Sequence, residues 1–193
     1  MGFLGAMIAK YDSTHAVTVL ADKVSEALVA IDHTQFAVHQ GVHYYMEGYA
    51  ELDDTDTLYI KLVTPDTSIR GHFQWEISSS GVLTTELYMG ASGGMTGGTG
   101  VTPLNSDHNS SNTSTLTITK GVTAPTSTGT TVSSAKMGSS SGGWSAVISG
   151  GATNPGKEII LKQNTTYCRK FLSGSDGNTV YFFVSWAEGS SKN

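Results

Sequence analysis

Residues 71–90 read GHFQWEISSSGVLTTELYMG. Phe73, Trp75 and Ile77 recur at every second position, the period of a strand that sets one face against a core. Three serines and Gly81 interrupt the run, and VLTTELYMG resumes it. The pattern predicts a hairpin from Arg70 to Met89 and places the chain in the all-β class.

Strand signals continue on the N-terminal side of this stretch. TLYIKLVT puts Leu58, Ile60 and Leu62 on one face, and Pro65 with Asp66 ends it. Asp53, Asp54 and Asp56 mark the turn before it. FAVHQGVHYYMEGYAEL reads as a strand beginning near Gln35, with a turn or bulge at Gly41. On the C-terminal side EIILK, TTYCRKFLS and NTVYFFVSWAE are strand-like, and Asp176-Gly177 predicts a tight turn between the last two. In the final run Val180, Phe182 and Val184 share one face, and Tyr181, Phe183 and Ser185 share the other. Apolar groups on both sides predict a central strand or an outer face covered by protein.

Between these aromatic-rich flanks, residues 91–156 are mostly glycine, serine and threonine and offer little for a core. ASGGMTGGTG reads as a loop, because glycine removes packing groups and raises the entropy lost on ordering. Thr113–Thr119 is strand-like, and TSTGTTVSS is its expected neighbour. About eight to ten strands with long connections predict a β-sandwich, jelly-roll-like, with an N-terminal arm and long Gly/Ser/Thr-rich loops. The expected divisions are an arm at 1–34, the sandwich at 35–188 and a tail at 189–193. Within the arm, Val17, Leu20, Val24, Leu28 and Ile31 fit a helix face, and an extended arm that adds to another subunit is the competing reading.

Composition excludes several function classes. Charged residues make up 14% of the 193-residue chain, and 16 acidic against 11 basic residues give a net charge of -5. The arginines are Arg70 and Arg169, and Lys120, Lys136, Lys157 and Lys162 are scattered, so the clustered cations of a nucleic-acid site are missing. FLGAMIA is too short to span a membrane, and no basic region or cleavage signature accompanies it, so neither a membrane anchor nor signal-directed secretion is expected. Asn109, Asn112 and Asn164 match the glycosylation triplet, which matters only in a secretory compartment. Cys168 is the single cysteine, reads as a buried thiol, and rules out an intrachain disulfide.

Reactive constellations are weak. His39 and His43 on one continuous strand would stand about 13 Å apart, too far for one metal ion. Asp53, Asp54 and Asp56 are half of a calcium loop without its glycine and closing glutamate. Glu76 and Glu86 flank Gly81 and could face each other across a hairpin, but a glycosidase also needs a cleft. No G-x-S-x-G elbow occurs, and GGMTGGTG lacks the lysine of a phosphate loop. Tyr44, Tyr45, Trp75, Trp144 and Trp186 could stack on a sugar, although the same residues serve cores and protein interfaces. No cofactor, metal or catalytic residue is expected.

Three stretches carry a family resemblance. Ile31, Asp32, His33, His39 and Gly41 form the first, Leu87, Tyr88, Met89 and Gly90 the second, and Leu161, Lys162, Asn164, Thr165 and Tyr167 the third. Over residues 31–187 the chain resembles small tailed-bacteriophage capsid decoration (cement) proteins. The resemblance implies a jelly-roll-like, non-enzymatic virion protein on the outer surface of the capsid, assembled in the host cytoplasm. The implied partners are the major capsid protein and neighbouring copies in a homotrimer. The expected partner-contact residues are Phe3, Leu4, Met7, Ile8, Val17, Leu20, His39, His43, Met95 and Trp144. The glycine-rich segment 91–100 and the apolar N-terminus depart from the pattern. The alternative is a head-fibre or receptor/glycan-binding module.

Overall fold

The computed structural model describes residues 8–10, 16–18, 33–138, 145–149 and 158–190. The chain divides into two compact units, Met1–Phe36 and Ala37–Asn193. In the first, β1 (Ile8–Lys10) pairs antiparallel with β2 (Ala16–Thr18), with Ala9 opposite Val17. Val17, expected to open a helix, is therefore in a strand, and residues 19–31 lie outside the described residues.

A short helix, α1 (His33–His39), crosses the boundary between the units. It replaces the strand expected from Gln35. Gly41 ends it at φ +63, with the Gly41 amide donating to Val38 O and the Val42 amide to Ala37 O. A side chain there would collide with Ser110, because a Cβ would lie 2.3 Å from its Oγ.

The second unit then runs β3 (His43–Leu52), β4 (Thr57–Val63), β5 (Ile69–Ser79), β6 (Leu83–Met89), β7 (Ser92–Gly94), β8 (Thr99–Val101), β9 (Leu104–Asn105), β10 (Thr117–Lys120), β11 (Pro125–Ser127), β12 (Thr130–Met137), β13 (Ser145–Ser149), β14 (Ile159–Ile160), β15 (Thr166–Ser173) and β16 (Asn178–Ser190). Two antiparallel sheets pack face to face without closing into a barrel. The first has the order β13-β5-β16-β3-β9, with β14 also on the edge of β5, and the second β12-β6-β15-β4-β10-β8. The longer strands β3, β4, β5, β6, β12, β13, β15 and β16 can be counted one to eight along the chain. The first sheet then reads six, three, eight, one, and the second five, four, seven, two.

Strand alternation builds the core. Phe73, Trp75 and Ile77 from β5, and Val180, Phe182, Val184 and Trp186 from β16, face Ile60, Leu62, Leu83, Leu87, Tyr167 and Phe171 of the second sheet. Trp186 stacks on Phe73 at 4.9 Å between centroids, and Trp75 meets Phe171 edge-on at 6.4 Å.

The expected Arg70–Met89 hairpin is not one. β5 pairs with β16, β13 and β14, and β6 with β15 and β12, so the chain changes sheets at Gly81. Alternation places Phe73 and Leu87 on inward faces, and those faces meet across the interior rather than side by side. The Asp176-Gly177 turn is likewise a corner between sheets, because β15 and β16 are not neighbours. One buried side chain ties both corners. Asn178 Oδ1 accepts from the Gly81 amide and from Ser79 Oγ, each at 2.8 Å, while its Nδ2 donates to Val82 O at 3.0 Å and Ser173 Oγ at 3.1 Å.

The glycine-rich segment is also ordered differently from expectation. β10 pairs with β4 and β8, β12 with β6, and β7 with β11, so Thr113–Thr119 and the TSTGTTVSS run are not partners. Gly94 and Gly98 hold φ +59 and +77, and a Cβ on them would lie 2.2 Å from Ala124 O and 2.6 Å from Lys120 O. Glycine here permits backbone to fold tightly onto backbone rather than leaving a loose loop.

Candidate interaction surface

The excursion from Ala91 to Ser127 covers part of the outer face of the second sheet. Tyr88 and Cys168 point away from the main core, and Ala91, Met95 and Val122 close over them, with Tyr59 packed alongside. Cys168 is fully buried, and burial pushes its thiol up to about 11, which makes it a poor nucleophile. Charges on this face are partly neutralised. Lys170 Nζ lies 3.1 Å from Glu86 Oε2, which also accepts from the Tyr88 hydroxyl at 2.6 Å. The hydroxyl bond and the lysine hold the Glu86 carboxyl below its ordinary range.

The outer face of the first sheet has no such cover among the described residues. Tyr49, 65% exposed, stands directly opposite Tyr181, 37% exposed, on the neighbouring strand. Tyr45 stacks with Phe183 at 5.8 Å between centroids. Glu47 and Glu76 lie on either side of Phe183 in one row across β3, β16 and β5, and Glu51 follows along β3. The Tyr181 hydroxyl donates to Glu47 at 2.8 Å. Burial, that bond and the nearby Glu47 and Glu76 charges all raise the Tyr181 pKa. Glu51 and Glu76 form no ion pair with a described residue.

Of the expected contact residues, His39, His43 and Met95 lie in the second unit. His39 is exposed in the last turn of α1. His43 is half-buried at the start of β3, its Nδ1 2.7 Å from Ser106 Oγ, and burial lowers its pKa. Met95, expected at a partner contact, is buried within the glycine-rich excursion it belongs to. Ile8 and Val17 lie in the strand pair of the first unit. Phe3, Leu4, Met7, Leu20 and Trp144 lie outside the described residues. The exposed tyrosines and glutamates of this face were not among the expected contact residues, although Tyr181 and Phe183 on the second side of an apolar strand were a signal for outward rings.

Glu76 and Glu86 lie on different sheets, on strands that do not pair, so the two carboxylates do not face each other across a hairpin. A cleft of about 390 Å³ is lined by Tyr44, Asn112, Thr115 and Glu188 among others. The Glu188 carboxylate is already engaged: it accepts from Ser114 Oγ, the Thr115 amide and hydroxyl, and Trp186 Nε1. It holds the 106–115 connection against β16. Asp53, Asp56 and Asp176 accept backbone amides at the turn, with the Gly177 amide 3.2 Å from Asp53 Oδ1. Among the described residues no group of three His, Cys, Asp or Glu gathers to hold a metal, and no helix is long and apolar enough to cross a membrane.

Arg169 is an interior feature with no sequence signal. It is 2% exposed on the inward face of β15, its guanidinium 5.2 Å from the Trp75 ring centroid and 5.9 Å from that of Phe171. Nη1 donates to Ser133 Oγ at 3.1 Å, whereas Nε and the nearby Thr85 Oγ1 have no partner among the described residues. Burial lowers its pKa to about 10, which leaves it charged at neutral pH.

No protein-family model, curated protein or solved structure matches this chain.

Proposed function

We propose that this chain is a non-catalytic virion protein that decorates and reinforces a bacteriophage capsid, on its outer surface, through contacts with the major capsid protein and with neighbouring copies in a homotrimer. The observation that carries the reading is the aromatic outer face of the first sheet, which no described segment covers. A sheet that presents Tyr45, Tyr49, Tyr181 and Phe183 outward, while the opposite sheet is partly sealed by its own chain, suits a molecule that completes itself against a partner. The strand order six-three-eight-one and five-four-seven-two supports a jelly roll, in which two Greek keys fold onto each other and which recurs in capsid and lectin domains. Avidity over many copies then gives strong attachment from weak single contacts.

Flat, exposed tyrosines beside carboxylates favour one other reading, a receptor- or glycan-binding module. Co-sedimentation tests the first. Capsids of the parent phage stripped of this protein are mixed with the purified full chain and pelleted. The chain is expected in the pellet at saturating, symmetric stoichiometry, with capsids more resistant to heat. A chain that stays in the supernatant while binding soluble glycans decides for the module.

A further inference from the structure

We propose that the outer face of the first sheet is a docking surface for a protein segment that presents Lys or Arg side chains. The inference rests on the reading of the chain as a partner-binding protein and names the chemistry of the partner. Rings and carboxylates alternate on this face. Glu47, Phe183 and Glu76 form one row across three strands, and Tyr49 with Tyr181 forms the next. A cation set over these rings meets their negative π faces and a carboxylate to either side.

The charge of the outward side chains is one-sided, although the Lys120 ammonium reaches the edge of β3 from the other sheet and donates to Tyr49 O at 2.8 Å. Outward positions of β3, β16 and β5 carry Glu47, Glu51 and Glu76, and among the described residues the only Lys or Arg there is Arg70. Arg70 precedes Glu76 by six residues on β5, roughly 20 Å along a strand. The second sheet supplies the control within the same molecule, because there Glu86 has its lysine at 3.1 Å. A neutral sugar can stack on the rings and donate hydroxyls to the carboxylates, but it leaves the charge of all three uncompensated. The three carboxylates are a good match to a basic peptide.

The test titrates the full chain with hexa-arginine, with a hexaglutamine peptide as control, and follows the aromatic carbon–proton NMR signals. Shifts are expected at Tyr49, Tyr181 and Phe183, weakening as salt rises. The Tyr49→Ser/Tyr181→Ser double variant keeps every charge and is expected to lose about tenfold in affinity, as removal of ring contacts requires. Unchanged affinity in that variant reduces the binding to bulk attraction and overturns the proposal. Salt-independent shifts of the same rings by chitohexaose, with none from hexa-arginine, also overturn it.

Glu47→Lys/Glu76→Lys in the capsid co-sedimentation separates this inference from the function it rests on. Loss of pelleting in the variant supports both. If wild type and variant pellet equally, the docking face is wrong and decoration stands. If wild type does not pellet but hexa-arginine binds the rings, decoration is wrong and the docking face stands.

Discussion

The two outer faces of the sandwich differ in whether a described segment of the chain covers them. On the second sheet, Tyr88 and Cys168 would be exposed apolar groups, and the 91–127 excursion lies over them with Ala91, Met95 and Val122. On the first, Tyr45, Tyr49, Tyr181 and Phe183 occupy comparable outward positions, and no described segment lies over Tyr49. The difference teaches that apolar residues on the second face of a strand can be covered by the same chain or left outward, where the proposed partner would cover them. The same chain provides the first through glycines that bring backbone against backbone.

Breaking the covered face has the largest expected effect. Tyr88→Ala removes a ring that is 6% exposed and its bond to Glu86, and is expected to cost about 3–4 kcal/mol in urea denaturation. A cost below about 1 kcal/mol would mean that the excursion only drapes over the sheet.

Alkaline titration sharpens the same point. Burial raises the Cys168 thiol to about 11 in the folded protein, above its ordinary range. The unfolded chain then loses this proton first as pH rises. The contribution to stability is fully present below about pH 8.5, the ordinary thiol value, and is lost as pH climbs through the folded value of about 11. Cys168→Ala is expected to lose less stability than wild type between pH 8 and 11, the difference being on the order of 2 kcal/mol. Parallel stability–pH curves would show that the seal admits water.

Between the faces, Arg169→Met replaces an interior cation that has no carboxylate partner among the described residues. Thermal and urea unfolding are expected to show a gain of about 1–2 kcal/mol, since an apolar side chain removes the desolvation cost while keeping contact with Trp75 and Phe171. A loss of stability would show that the ring contacts outweigh that cost. The smallest effect belongs to the open face. Tyr49→Ser is expected within about 0.5 kcal/mol of wild type in the same urea series, with its consequence confined to binding. A large destabilisation would show that the face is part of the fold rather than a surface left for a partner.

Much of this was legible in the residues. The period-two runs at 57–64, 71–79 and 178–188 mark strands, and their inward members are those buried in the core. The second apolar side of β16 was read as a central strand or a covered outer face, and β16 does lie between β5 and β3, but nothing in the run said that Tyr49 and the glutamates of β3 would share that side. The burial of Met95 was not legible, because a methionine in a glycine run carries no periodic signal. Glycine at positive φ returned it to the molecule. Arg169 and Glu188 gave no signal, since a lone charge in a strand reads the same whether it points at solvent or at a ring.

The sequence by itself determined which side of each strand is apolar, because successive side chains on an extended backbone point to opposite faces whatever lies beside them. Only the tertiary structure decided which strands became neighbours. Gly81 and Gly177 could have closed hairpins, yet Asn178 holds both turns as corners between sheets. Pairing depends on partners far apart in the chain, and alternation carries no information about them.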